Sequence, residues 1–252
     1  MKETNNSGFS DTLIFGSRPV LEALMAGRSI DKILVKKQHE LPIVKEIKIK
    51  ARDLGVYVQE VPAEKFSFLK NKNHQFVAAW LAEVDFHSVE SLVPELLAKG
   101  ILPVLVLLDR ITDVRNFGSI VRTTECLGAH AVVIPKKGSA SVNSDAVKAS
   151  AGALTRLPVC RENNLRNTLQ YLNNCGFTTI ACTEKANRSV YESRVNKPLA
   201  LLMGNEENGI ATDLRKLCQT EVKIPMCGST ASLNVAVATG IALSALLSTH
   251  QL

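Results

Sequence analysis

The chain reads as an α/β protein in two parts: a small N-terminal α/β module and a larger domain built on a parallel sheet. From residue 103 onward, short apolar runs rich in β-branched residues alternate with helical stretches, the pattern of strands joined by crossover helices. Residues 12–83 alternate in the same way on a smaller scale. Between the two, residues 84–99 carry three acidic side chains and one basic one, whereas both flanks are basic. With 252 residues, 46% hydrophobic and 21% charged, the composition is globular and excludes intrinsic disorder.

Each element has a local signal. Residues 18–26 form a helix that Ser17 can cap and Gly27 ends. A strand follows at 32–35. Apolar positions 41, 43, 44, 47, 51 and 54 have a helical period, and Gly55 stops that helix. Residues 56–61 alternate as a strand, 63–69 are helical and 75–82 are a further strand. Residues 84–99 are expected to be a linker holding one short helix, 89–98, closed by Gly100. The second domain, 100–252, opens with a fully apolar strand at 103–108, the kind buried in parallel sheets. After it come helix 119–127, strand 131–134, helix 145–151, strand 157–160 and helix 165–174. Strands 178–181 and 199–203, helix 212–217, strand 221–224 and a closing helix, 232–248, complete the chain. That last helix is apolar nearly all round and rich in Ala, Gly and Ser, so burial and close helix approach are expected.

Several function classes are excluded. The longest apolar run, 101–108, is far short of the roughly 18 residues a bilayer span needs. Residues 1–11 are polar and lack a signal-peptide core. Six cysteines, at 126, 160, 175, 182, 218 and 227, contain no CxxC pair, which argues for a reduced, cytoplasmic protein without a zinc knuckle. Five scattered histidines give no metal-ligand spacing, so no metal is expected. No two of the 14 glycines are spaced G-x-G, so a dinucleotide fingerprint is absent, as are a P-loop and a GxSxG elbow. The net charge of +6 is spread over both parts, with 13 basic and 10 acidic residues in 1–83 and 16 and 11 in 100–252. That balance favours a polyanionic partner, RNA or DNA, over a basic protein with no such partner.

Three polar clusters each follow an apolar strand, where open parallel sheets form their binding crevice. Residues 109–122 read DRITDVRNFGSIVR, with Asn116 and Arg122 both expected on one side of the helix entrance. Residues 204–209 read GNEENG, a flexible and electronegative loop. Residues 225–234 read PMCGSTASLN, with Ser232 and Asn234 at the start of the last helix, a natural polar or anion site. Taken singly, each cluster could be an ion pair, a turn or a cap; their shared strand-end placement points to a site.

These residues carry a family resemblance. Asn116, Gly118 and Arg122 in the first cluster, the strand with GNE at 201–206, and IPM…SLNVAVATGIAL at 224–243 resemble the three motifs of the SpoU, or TrmH, family of the SPOUT superfamily. The match covers about 150 residues in order. The first part, opening with FGSRPVLEAL and closing with NHQFVAAW, resembles the ribosomal-protein-like RNA-binding domain of the RlmB branch. Phe76 stands where that segment usually has glycine, a departure that touches no catalytic motif.

The resemblance implies a C-terminal trefoil knot, which topology rules alone would never suggest. It implies 2′-O-ribose methylation of a nucleotide in 23S rRNA, most simply a guanosine, with S-adenosylmethionine as cofactor and a homodimer formed through the C-terminal domain. It places Arg122, Asn116, Glu206, Ser232 and Asn234 at the polar active-site positions. The cofactor would be held near Thr183, Leu202, Gly204, Ile224, Met226 and Leu233. Arg122 is often assigned as general base in this family, yet a guanidinium with a pKa above about 12 is better suited to binding phosphate and stabilising an alkoxide. A tRNA ribose methyltransferase, an antibiotic-resistance rRNA methyltransferase of the same architecture and a catalytically silent RNA-binding protein are the competing readings. The N-terminal module argues against the first and the intact polar positions against the last.

Overall fold

The computed structural model describes residues 13–193, 195, 198–230 and 232–247; the expectations for residues 1–12 and 248–252 lie outside the described residues. The chain separates into two units, one ending at Glu83 and the other beginning at Val84. Among the described residues no helix is long and apolar enough to cross a membrane.

The first unit contains β1 (Leu13–Phe15), α1 (Ser17–Met25), β2 (Ile30–Lys36), α2 (Pro42–Asp53), β3 (Tyr57–Val61), a 3-10 segment (Ala63–Leu69) and β4 (Val77–Leu81). The sheet order is β1-β4-β2-β3. β4 runs antiparallel to both β1 and β2, while β2 and β3 are parallel. Side chains alternate between the faces. Ile33, Val35, Val77 and Ala79 pack under the two helices with Val20, Leu24, Val44 and Ile47. Leu34, Ala78 and Val61 face the other way, against Phe66 and Leu69 of the 3-10 segment.

Three details differ from expectation. β1 is an added edge strand, too short at three residues to show alternation. Ser17 does not cap α1 but begins it; Gly16 at φ 95° is the cap, with no side-chain hydrogen bond of its own. The Ser17 N–H instead donates to Gln75 Oε1 at 2.9 Å, a partner 58 residues away that no local pattern can reveal. Finally, Gln75 and Phe76 have φ of 49° and 54°, which accounts for the glycine that resembling sequences carry at the second position. A left-handed residue costs roughly 1–2 kcal/mol. Phe76 sets against this its edge-on contacts with His74 at 5.0 Å and Phe66 at 5.7 Å.

The second unit contains β5 (Phe86–His87), α3 (Val89–Ala98), β6 (Val104–Asp109), α4 (Val114–Cys126), β7 (Ala131–Pro135), α5 (Ser144–Ala149), β8 (Val159–Glu162), α6 (Leu165–Asn174), β9 (Thr178–Cys182), β10 (Leu199–Gly204), α7 (Thr212–Arg215), β11 (Thr220–Val222) and α8 (Val235–Leu247). The sheet order is β11-β9-β10-β6-β7-β8-β5, and every pairing is parallel. It is buried on both faces. Val104, Val106 and Leu108 join one core with Leu199, Leu201 and Met203, while Leu105 and Leu107 join the opposite one with Ala200 and Leu202. Chain order reverses between β6 and β10, the switch point at which open α/β sheets place ligands.

Residues 84–99 are not the separate linker that their acidity suggests. Phe86 and His87 pair with Val159 and Cys160 as the outermost strand. The Arg161 guanidinium lies 3.4 Å from the Phe86 ring centroid, and Glu162 Oε1 accepts the Val89 N–H at 2.7 Å, tying α3 to the sheet. Val89, Leu92 and Val93 then enter the core. A two-residue strand leaves no alternation to read.

α4 begins five residues before the expected 119. Asp113 caps it, its Oδ1 accepting the Asn116 N–H at 2.7 Å. Gly118 sits inside the helix because α5 passes there: a Cβ would lie 2.4 Å from Ala149 Cβ and 2.9 Å from the Ser150 backbone nitrogen. Gly118→Ala is therefore expected to force α4 and α5 apart despite alanine's better helix propensity, at a cost of about 1–3 kcal/mol. Thermal unfolding checks this: the midpoint should fall by several degrees, whereas a rise would show that the helices separate freely.

Candidate active site at the strand ends

A cleft of about 330 Å³ opens beyond the C-terminal ends of β9, β10 and β11. That is the low end of the range for small-molecule sites. Thr183, Gly204, Ile224, Met226 and Leu233 line it, as do Glu206 and Ser232. Met226 and Leu233 are 41% and 37% exposed, large apolar side chains held at the mouth of a polar cleft. Glu207, Asn208 and Gly209 of the GNEENG loop complete much of the wall, together with Glu184 and Lys185, which no motif of the sequence marks. The only signal of those two is position, directly after β9.

The cofactor is expected along the backbone of the 202–204 segment, and the Leu202 side chain is fully buried in the core on the opposite face of the sheet. Successive residues of a strand point to opposite sides, so Met203 reaches the cleft and Leu202 turns away.

Three of the expected polar residues meet. Asn234 Nδ2 donates to Glu206 Oε1 and to Asn116 Oδ1, both at 2.9 Å, and Asn116 Nδ2 donates to the same Glu206 oxygen at 3.2 Å. The Val235 N–H, at the first turn of α8, adds a fourth contact at 3.3 Å. The helix dipole favours a carboxylate there. Asn234, rather than Ser232, caps α8, its Oδ1 accepting the Ala236 N–H at 3.0 Å. Ser232 lines the cleft just before the helix.

Arg122 is not part of this cluster. Six residues advance a helix by about 9 Å and well over one and a half turns, so Arg122 leaves α4 on a different side from Asn116. Its side chain is exposed, and it makes no hydrogen bond or ion pair among the described residues.

A second, less legible network holds the GNEENG loop. Asp109, 4% exposed at the end of β6, accepts from Arg110 Nε and Nη2 at 3.0 and 2.9 Å and from the Ala211 N–H at 2.8 Å. Arg110 Nη2 also donates to the Gly209 carbonyl at 3.1 Å, and Asn205 Nδ2 donates to the Arg110 carbonyl at 3.2 Å. Gly204 must lack a Cβ, which would fall 2.3 Å from the Ile210 nitrogen. The loop thus doubles back on the strand end under the side chains of Asp109, the last residue of β6, and of Arg110, which follows it.

The ionisable groups narrow the chemistry. Burial pushes the Cys182 thiol, at the cleft wall, up to about 11, so it is protonated at neutral pH and is no thiolate nucleophile. The remaining donors and carboxylates suit binding and orientation of a polar ligand. Fold and site together define an open-sheet α/β enzyme with its cleft at the strand ends.

Comparison with known proteins specifies the class. Residues 103–244 match the model of the SpoU rRNA methylase family, and residues 13–86 match that of the RNA 2′-O ribose methyltransferase substrate-binding domain. A TrmH-family protein of Staphylococcus aureus (strain MSSA476), assigned as a tRNA/rRNA methyltransferase, is 35% identical over 92% of this chain and 93% of its own. A solved structure of a TrmH-family protein from Porphyromonas gingivalis, assigned as an RNA methyltransferase, is similar at 25% identity and TM-score 0.55, covering 93% of this chain and 88% of that one. The SpoU methyltransferase AviRb of Streptomyces viridochromogenes, solved in complex with AdoMet, shares the fold at 24% identity and TM-score 0.58, covering 92% and 88%. The chain belongs to the SpoU family and is an RNA methyltransferase of that family.

Asp109→Asn removes a buried charge whose partners are the Arg110 guanidinium and the Ala211 N–H. We expect a loss on the order of 2 kcal/mol. Limited proteolysis should show earlier cleavage within residues 204–211; an unchanged cleavage pattern and an unchanged urea midpoint would contradict the tie.

Proposed function

We propose that this chain transfers the methyl group of S-adenosylmethionine to the 2′-oxygen of a ribose in 23S rRNA, with a guanosine as the target nucleotide. The observation that carries this reading is the Glu206 carboxylate. It is bound by Asn116, Asn234 and the N-terminus of α8 at the edge of the cleft, so that the three resembling motifs meet at one oxygen. Neutral donors fix the orientation of this carboxylate without pairing it to a cation.

The cleft fits the cofactor by the chemistry of its lining. Met226 and Leu233 offer apolar surface to a flat base, backbone groups around Gly204 and Ile224 offer hydrogen bonds, and Glu184, Glu206 and Glu207 suit a cationic ligand. Bound there, S-adenosylmethionine supplies a methyl activated by a sulfonium. The AdoMet complex of AviRb, which has the same fold, supports this assignment. Thr183 lines the cleft beside Cys182 and Glu184, and the cofactor runs along the backbone of the segment that holds Leu202 and Gly204.

The ribose oxygen must be brought in line with the methyl and must lose its proton as the new C–O bond forms. Asn116, Glu206, Ser232 and Asn234 orient that hydroxyl. Arg122, exposed and free of internal partners among the described residues, leaves α4 on another side from that cluster and binds RNA phosphate. The first unit captures the RNA, as its match to a substrate-binding domain supports. The C-terminal domain forms a trefoil knot and a cytoplasmic homodimer. Val237, 53% exposed on the otherwise apolar α8, supports a covered helix face.

Isothermal titration with S-adenosylmethionine or its demethylated product should give one site per chain. Arg122→Ala should lower single-turnover methyl transfer to rRNA by a factor on the order of 10² or more while leaving cofactor affinity unchanged. Wild-type transfer by the variant would remove Arg122 from the site. Loss of cofactor binding would instead make it a cofactor-site residue.

A further inference from the structure

The face of the first unit's sheet that lies opposite the two helices is only partly covered. Cross-strand register places Leu13, Trp80, Lys32 and Tyr57 in one row across all four strands. The 3-10 segment Ala63–Leu69 covers the neighbouring row, packing Phe66 and Leu69 onto Leu34 and Ala78. The Trp80 row is left beside that cover. Trp80 is only half-buried, and Phe68, 39% exposed, stands next to it with ring centroids 5.7 Å apart.

Lysines accompany these rings. Lys32 Nζ lies 4.9 Å from the Trp80 centroid, Lys36 Nζ 4.9 Å from that of Phe76 and Lys72 Nζ 5.7 Å from that of Phe15. All three distances are within the range of a cation–π contact. Neither Lys32 nor Lys36 makes an ion pair among the described residues. Lys45 and Lys48, both on α2, do carry charged partners: Lys45 pairs with Glu40, and Lys48 with Glu60, whose strand position turns it to the opposite, helix-covered face. The row thus offers aromatic surface with the uncompensated charge of Lys32 beside it, and Lys36 follows on the same face about 13 Å further along β2.

We propose that this face is a stacking platform for single-stranded RNA, with a base on Trp80 and Phe68 and the adjoining phosphates on Lys32 and Lys36. The proposal rests on the reading of the first unit as the RNA-capturing part and adds how it captures: through an unpaired base rather than through duplex shape. An aromatic face accepts any base, while a duplex keeps its bases stacked on one another and has none to offer. Lys32 need only move from the ring to a phosphate to make room, exchanging a weak cation–π contact for an ion pair.

Trp80 is the only tryptophan of the chain, so its emission reports on this surface directly. The full-length protein is titrated with a short single-stranded oligoribonucleotide and with the same sequence annealed to its complement. Stacking should quench Trp80 with the single strand and much less with the duplex. By polarisation of a labelled strand, Trp80→Ala should weaken binding on the order of ten- to a hundredfold and Trp80→Phe much less. Lys32→Gln, which leaves the sheet intact, should weaken binding and reduce its salt dependence by about one phosphate contact. Unchanged emission on binding, or wild-type affinity of both Trp80→Ala and Lys32→Gln, would overturn the platform. Methyl transfer to rRNA measured in parallel separates the readings. Intact transfer with a silent Trp80 removes the platform alone, whereas no RNA binding and no transfer would remove both.

Discussion

Parallel pairing of β10 with β6 is the constraint on which the candidate site depends. The two strands are about 90 residues apart in sequence, yet their register runs from Leu199 beside Val104 to Gly204 beside Asp109. The segments leaving those strands therefore start from adjacent points. One becomes the Asp113-capped α4 that presents Asn116, and the other the loop that presents Glu206. α8 packs against α4 with Gly240 close to Thr123, and its first turn brings Asn234 to the same carboxylate. A shift of either strand by one residue would exchange the two faces of the sheet and unmake the meeting. The apolar alternation of β6 and β10, buried on both sides, resists such a shift.

Two kinds of interaction then divide the work. Burial of aliphatic side chains sets where the strands lie, while a small number of polar contacts sets how the loops leave them. The Asp109–Arg110 pair belongs to the second kind. Arg110 has φ 58°, a left-handed conformation uncommon outside glycine, so the chain turns sharply where the carboxylate is bound. Each contact is modest in energy, but together they keep a glycine-containing acidic loop folded over the end of β10.

Much of the second unit was legible because its signals are local and strong. The apolar runs at 103–108 and 199–203 are long enough to announce buried strands, and glycines end helices where expected, as Gly128 and Gly176 do with positive φ. What escaped depends on partners distant in sequence or on very short elements. Phe86–His87 is a strand only because Val159 and Cys160 accept it. Gln75 caps a helix that begins 58 residues earlier. Within the site, Asn116, Glu206, Ser232 and Asn234 could be named from motifs. That the first, second and fourth share a hydrogen-bonded oxygen could not. The motif marks the 202–204 segment, whereas the pleat decides that Met203 and not Leu202 turns its side chain to the cleft. Arg122 stands apart from the cluster because α4 begins at Val114, which fixes its angular relation to Asn116.

The central claim is that the strand ends of the second unit, and not the first unit, hold the methyl donor. Hydrogen–deuterium exchange of the full chain with and without S-adenosylmethionine tests it most directly. Protection is expected in the loops at 182–185, 204–210 and 224–234, with residues 13–83 unchanged. Protection confined to the first unit, with those loops exchanging as before, would contradict it.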